Sequence, residues 1–341
     1  MTPLRARSGL FAPVLLLAGI VTPAAAQDGP KIDFLKDRPF YEPLLAEPRP
    51  ARTMLLIPAW SKEFPDSVNK GARFAWQISL GDELPILTLS NDHGGGALGS
   101  KGTWGLGLWV PLSFHVIEDF KDDSNPIVDT DYRFGFMTKF QCFCFEKMKL
   151  GARFVPWAHE STHLGDEYTI FAQQQNPDFE RINVSHEEWE YGISLEGDGL
   201  FKDDDMWKLR HGGKQPWSSG GYYSNHLLGS EEPDLTPSQR NFEPSFGVEY
   251  RFAPRKPASR QFYLSADLRH QLIYNYHQTP ENPEEKQWSI NFQVGTAVQE
   301  DTHGTPLKQL FFQISRGVNP YGQLRSQRDF WSAGLGFVFG L

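Results

Sequence analysis

The densest run of chemically capable side chains is His159-Glu160-Ser161-Thr162-His163-Leu164-Gly165-Asp166-Glu167. Its spelling admits several chemistries. His159-Glu160-x-x-His163 matches a zinc-protease motif, which works because histidines at i and i+4 share one face of a helix. Here the run follows a strand-like stretch, Lys149–Pro156, and meets Gly165 soon after, so little room is left for that helix. His159-x-Ser161 reads differently. On an extended strand, residues i and i+2 point the same way, so an imidazole and a hydroxyl can pair as base and nucleophile. In that reading His159 is the base, Ser161 the nucleophile, and Glu187 or Asp166 orients the imidazole. A third reading is a ligand site. His163, Asp166 and Glu167 are candidate metal ligands, joined across the hairpin by Asn183, Ser185, His186 and Glu187. Oxygen donors of this kind suit calcium, although no cofactor is expected to be required. The plain alternative is a hydrogen-bonded network that pins a long loop.

What must position these residues is a set of strands with two-residue periodicity. Every odd position of Trp331–Leu341 is apolar, and the even ones are chiefly Ser and Gly. Trp288, Ile290, Phe292, Val294 and Val298 alternate with Ser289, Asn291, Gln293, Gly295 and Gln299; Phe262, Leu264, Ala266 and Leu268 alternate with Ser265, Asp267, Arg269 and Gln271. Trp104 to Val116 gives one apolar face over a still longer run. Soluble strands are usually about five or six residues long, whereas a tilted membrane strand needs about nine to eleven. The length of the runs therefore predicts an all-β fold, a single membrane-spanning antiparallel up-and-down β-barrel of about 12 strands (10 to 14). The predicted strands fall near 53–60, 71–89, 103–116, 131–142, 147–158, 184–196, 206–211, 244–252, 260–271, 287–299, 308–316 and 329–340. Short links (143–147, 197–205, 253–259, 300–306) alternate with long ones (117–130, 159–183, 212–243, 274–285, 317–328), as periplasmic turns alternate with extracellular loops. The terminal Leu341 departs from the usual closing aromatic, but Phe337 and Phe339 keep the pattern.

The remaining composition agrees. Arg5 and Arg7, the apolar run Leu10–Val21, and Ala24 with Ala26 spell a signal peptide over residues 1–26, cleaved before Gln27. Residues 27–52 are then expected as a periplasmic segment ahead of a barrel at 53–341, in the outer membrane. Aromatics make up 14% of the chain, with 26 Phe and 10 Trp, as interfacial girdles require. Mean hydropathy is −0.46, which would also fit a soluble periplasmic β-protein. The net charge of −9, without a basic block, argues against nucleic acid as a partner. Outer-membrane lipids and lipopolysaccharide are the expected partners, with the barrel assembly machinery during biogenesis; the sequence points to no particular small-molecule ligand. Cys142 and Cys144 are read as two small apolar residues on the lipid side, because positions i and i+2 of a regular strand lie nearly 7 Å apart. Lumenal charges of both signs (Lys149, Arg153, Arg133, Lys139, Glu188, Glu190, Glu249, Arg251, Asp267 and Arg269) suggest a narrow or plugged interior.

The His-x-Ser element resembles that of outer-membrane phospholipase A and the lipid A deacylases, which implies an acyl-ester hydrolase acting on phospholipid or lipid A. The phase of the strand opposes this. Met148, Leu150, Ala152 and Phe154 form the lipid-facing set, which puts His159 and Ser161 in the lumen, whereas the phospholipase pair faces lipid. Pro156 is placed to shift the register by one, since proline favours bulges and edges. The Asn-Gly accompanying His-x-Ser in those enzymes is absent. A narrow channel or a structural, ligand-binding barrel is the other alternative.

A wider resemblance covers Pro43–Arg49, Asp131–Gly135, His159–Glu167, Asn183-x-Ser185-x-Glu187 and Pro320–Gln323, spanning nearly the whole mature chain. These stretches resemble domain of unknown function family 1207, a bacterial family for which the resemblance implies an outer-membrane barrel and no assigned activity. Members vary at the position of Glu160, which would undercut a zinc-protease role. In the expected topology four of the five stretches gather at extracellular strand ends, suggesting one polar site at the outer mouth.

Overall fold

The structure is a computed structural model that describes residues 30–35, 40–41, 43–48, 51–60, 73–91, 102–119, 126–145, 147–175, 177, 184–202, 205–216, 242–252, 261–273, 285–299, 306–321, 324–325 and 329–339. The expected signal peptide, residues 1–26, lies outside them. Among the described residues are thirteen strands and a helix: β1 Lys31–Phe34, β2 Thr53–Trp60, β3 Arg73–Ser90, β4 Trp104–Asp119, β5 Ile127–Phe145, β6 Met148–Leu164, α1 Asp166–Gln175, β7 Val184–Asp198, β8 Met206–Pro216, β9 Glu243–Arg251, β10 Gln261–Ile273, β11 Glu285–Gln299, β12 Pro306–Gly317 and β13 Phe330–Phe339. Strands β2 to β13 each pair antiparallel with their sequence neighbours, and β13 closes on β2. The result is a closed antiparallel barrel of twelve strands, as the alternation predicted. The short β1 lies outside that count and covers the lower edge of β3, Leu87–Ser90, beyond the reach of β2.

The outer wall is the apolar set read from the sequence. Phe262, Trp288, Ile290, Val294, Trp331, Leu335 and Phe337 are all exposed. A continuous apolar surface of this kind requires hydrocarbon around it, and closure leaves no strand edge to satisfy. Among the described residues no helix is long and apolar enough to cross a membrane.

The lumen is filled. Phe40, Tyr41 and Leu44 to Glu47 are buried in it, so this part of residues 27–52 is a lumenal plug and not the periplasmic segment expected ahead of the barrel. The physical reason is a matched wall. Leu45 N donates to Glu249 Oε2 (2.7 Å), Ala46 N donates to Ser265 Oγ (3.0 Å), and Asn291 Nδ2 donates to the Ala46 carbonyl (2.5 Å). Glycines on the wall make room for the segment's side chains. A Cβ at Gly247 would collide with Leu44 Cδ1, and one at Gly105 with the Phe40 ring. At the long-loop end Val318 to Tyr321, with Leu324 and Arg325, fold inward as a cap. There Tyr321 and Leu324 join Trp60, Ala75, Ile117, Val128, Leu164 and Phe330 in one apolar cluster. Tyr321 Oη donates to Gln77 (2.6 Å), and Arg325 bonds Glu243 and the Leu272 carbonyl.

Between plug and cap runs an ion network. Arg133 bridges Glu188 (3.0 Å) and Glu190 (2.8 Å), while Lys214 bridges Glu188 (3.0 Å) and Glu160 (3.7 Å). Arg153 joins Glu190 to Glu47, and Arg210 and Arg269 join Glu47 to Asp267. Every lumenal charge named from the sequence faces inward and is ion-paired, because an unpaired charge in this interior would cost several kcal/mol.

Two local expectations are corrected. Cys142 is disulfide-bonded, not a free apolar side chain. The β5–β6 ladder is irregular between Cys142 and Phe145, so regular-strand spacing does not apply there. Strand β6 also runs on to Leu164, so the site residues lie on a strand and not in the predicted loop 159–183. Helix α1 follows at once, with Asp166 and Glu167 in its first turn, where carboxylates favour the helix dipole.

Candidate functional site

A bulge in β6 decides the site. Below it Val155 pairs with Glu190 of β7; above it Ala158 pairs with Glu188. Two residues of β6, Pro156 and Trp157, thus stand opposite the single residue Trp189. The β5 side shows the same offset, with Thr138 opposite Phe154 and Phe136 opposite Trp157. One extra residue reverses the parity of everything above it. Gly151, Arg153 and Val155 face the lumen below the bulge, but Ala158, Glu160, Thr162 and Leu164 face it above. His159, Ser161 and His163 therefore point outward, towards lipid. The lumenal phase expected for His159 and Ser161 is corrected, because it extrapolated the lower half of the strand past Pro156.

On that outer surface β5, β6 and β7 assemble a polar patch. Ser161 Oγ lies 3.2 Å from His163 Nε2, and Tyr132 Oη lies 3.1 Å from the same nitrogen. The Tyr132 ring stacks on His163, with centroids 5.6 Å apart and planes 18° apart. His159 Nδ1 lies 3.5 Å from Glu187 Oε1, and its ring rests on Phe134 at 5.4 Å. The imidazole hydrogen-bonded to Ser161 is thus that of His163, and the expected pairing of Ser161 with His159 is corrected. The reason is steric: Tyr132, directly opposite Ser161 in the ladder, holds the His163 ring over the hydroxyl and leaves Ser161 buried. Below the pair, Phe134, Trp157 and Phe136 continue as an aromatic column at centroid spacings of 5.4 and 6.0 Å.

Inward side chains of the same strands hold the patch from behind. Arg133, between Tyr132 and Phe134, is fixed by Glu188 and Glu190. Glu160, between His159 and Ser161, belongs to the lumenal network through Lys214. Thr162 Oγ1 donates to Asp129 (3.0 Å). Because Glu160 lies on the opposite wall from both histidines, and the run is a strand, the zinc-protease arrangement is absent. Asp166 and Glu167 stand exposed on α1. Among the described residues no three His, Cys, Asp or Glu side chains converge as metal ligands, so His163, Asp166 and Glu167 are not brought together. Asn183 lies outside the described residues, as do the side chains of Ser185 and His186.

One lumenal cluster escaped the sequence reading. Ser79 Oγ lies 2.6 Å from His115 Nδ1, and Asp131 stands opposite His115 in the ladder, all three buried. Residues 79, 115 and 131 lie far apart in sequence and meet only through strand register. The one available signal was their shared inward phase.

Among solved structures the chain is similar to the outer membrane phospholipase A from Escherichia coli (TM-score 0.46, 13% identity, covering 85% of this chain and 90% of that chain). It is also similar to the translocator domain of the autotransporter NalP from Neisseria meningitidis (TM-score 0.38, 10% identity, 85% and 87%) and to the CymD monoaromatic hydrocarbon channel (TM-score 0.38, 9% identity, 85% and 88%). Likenesses this distant say nothing of activity. No curated protein matches the sequence. Four of the five family-like stretches fall inside the matched family region, residues 30–198, whereas Pro320–Gln323 lies beyond it, so the shown match is shorter than the nearly full-length resemblance expected. Residues 30–198 match the model of the family described as Protein of unknown function (DUF1207).

Proposed function

We propose that the protein is an outer-membrane lipid-ester hydrolase with a sealed barrel, in which Ser161 is the nucleophile and His163 its base. The observation that carries this reading is the Ser161–His163 contact of 3.2 Å on the lipid-facing wall near the long-loop end. Polar and ionisable groups on such a wall carry a desolvation cost, which falls towards the interface; placing a hydrogen-bonded Ser–His pair there suits a substrate whose ester lies at that depth. In the proposed reaction Nε2 of His163 takes the Ser161 proton as Oγ adds to the acyl carbonyl. The imidazolium then returns that proton to the departing alcohol, and water hydrolyses the acyl-serine through the same base. Tyr132 keeps the His163 ring in place, and the Phe134–Trp157–Phe136 column lies where the acyl chain would descend. Outer-leaflet phospholipid and lipid A are the substrate classes. The filled lumen weighs against the narrow-channel alternative.

The test is fatty-acid release from phosphatidylethanolamine or lipid A in mixed micelles. Wild type is compared with Ser161→Ala, His163→Ala and His159→Ala, each checked for folding by its heat-modifiable gel shift. Loss of about a thousand-fold or more in the first two is expected, with a smaller loss in His159→Ala. Wild type and Ser161→Ala sharing the same background rate would remove the hydrolase reading.

A further inference from the structure

We infer that Arg153, Arg210 and Arg269 form an oxyanion-binding site in the lumen, which the chain's own Glu47 occupies, so that residues 40–48 are a self-bound stopper with which a small carboxylate or phosphate competes. This site is separate from Ser161 and does not depend on the hydrolase reading.

The arrangement is that of a bound ligand. Three guanidiniums from three different strands converge on one carboxylate: Arg153 Nη2 at 2.8 Å and Arg269 Nη2 at 3.4 Å on Oε1, and Arg210 Nη1 at 2.5 Å on Oε2. Arg153 and Arg210 are themselves buried, at 7% and 2% exposure. Planar guanidiniums read a planar or tetrahedral oxyanion through paired donors, and are the usual choice for such sites. The wall supplies two further carboxylates to these arginines, Glu190 and Asp267. Three cations against two wall anions leave one negative charge to be supplied, and Glu47 supplies it from a segment that is not part of the wall. The segment's other ties, which include the Leu45 N bond to the Glu249 carboxylate, an Arg52 bond to the Leu44 carbonyl and the packing of Arg153 on Tyr41, supply no further negative charge to the cluster. A polar cavity of about 40 Å³ borders Glu47, Pro48, Arg133, Glu190 and Arg269. It has room for roughly two or three waters beside the cluster.

The chemistry predicts what happens when the resident carboxylate is neutralised. Glu47→Gln keeps shape and leaves one positive charge unmatched, creating a demand for an external oxyanion. Glu47→Gln/Arg269→Gln removes one charge of each sign and creates no such demand. Each protein is refolded from urea into detergent micelles with and without inorganic phosphate, at ionic strength matched by sodium chloride. The folded fraction and the midpoint of the heat-induced gel transition are read. Phosphate is expected to raise the folded fraction of Glu47→Gln several-fold and to raise its midpoint saturably, while wild type and the double variant respond no more than to salt. The same Glu47→Gln protein is expected to show anion-selective conductance in planar bilayers, with wild type closed. A Glu47→Gln protein whose folding yield and midpoint ignore phosphate, whether it folds well or not at all, would overturn the inference, as would cation selectivity.

Discussion

The bulge at Pro156 and Trp157 makes a demanding prediction, because it separates the number of residues in β6 from their identity. Deleting Pro156 restores regular pairing between β6 and β7, and one half of the strand must then turn over. The lower half is held by Arg153, which would leave both Glu47 and Glu190 for the lipid face. The upper half yields more readily, and carries Glu160 and Thr162 out while bringing His159, Ser161 and His163 in. Separating buried Glu160 from Lys214 costs about 3–5 kcal/mol. Removing the Thr162 donor from Asp129 costs about 1–3 kcal/mol. Leu164 adds little, since it exchanges an apolar cluster for hydrocarbon. The total, roughly 4–8 kcal/mol, rivals the whole stability of an ordinary domain. Pro156→Ala, by contrast, keeps the residue count and the parity, and is expected to cost less than about 1.5 kcal/mol. The assay is urea unfolding in micelles followed by the gel shift. As a positional readout, His163→Cys, at a half-buried position of the same outward face, is expected to react with a lipid-soluble maleimide in the Pro156→Ala background and not after deletion. A deletion protein as stable as wild type, with residue 163 still labelled from lipid, would refute the reasoning.

Two further outcomes follow from the lumen. Burial alone would raise the Glu47 carboxyl, but the guanidiniums of Arg153, Arg210 and Arg269 hold it well below the usual carboxylate range. Its folded value lies below the unfolded 4.5, so its contribution is complete above about pH 4.5 and is lost as pH falls towards the folded value. The difference in urea midpoint between wild type and Glu47→Gln is therefore expected to stay constant from pH 8 to about 5 and to shrink only in stronger acid; a difference that shrinks near neutrality would contradict it. At the wall, Gly247→Ala forces a methyl against Leu44 and is expected to cost about 1–3 kcal/mol. Combined with Leu44→Ala it should cost clearly less than the sum of the two single changes, which a double-mutant cycle in urea measures.

The alternation that names the fold is local: side chains two apart on a strand must meet the same medium, so Trp331–Phe339 and Trp288–Val294 reveal an apolar outside and a polar inside without any knowledge of their partners. Strand count, the order of long and short links, and the mixed-sign lumen follow from the same rule. The rule fails where the count slips. Pro156 marks where a register shift could fall, but only the ladder shows that Pro156 and Trp157 share one position, and that single offset sends His159, Ser161 and His163 to lipid and Glu160 to the lumen. Pairing partners were equally hidden. Ser161 meets His163 because Tyr132 of the neighbouring strand stacks there, and Ser79 meets His115 through register alone. The stopper was least legible of all. Residues 27–52 read as a periplasmic segment ahead of the barrel until three arginines from distant strands close around Glu47. Periodicity is a property of one strand and could be read from the chain; parity after a bulge, and the convergence of charges in a lumen, are properties of several strands held together.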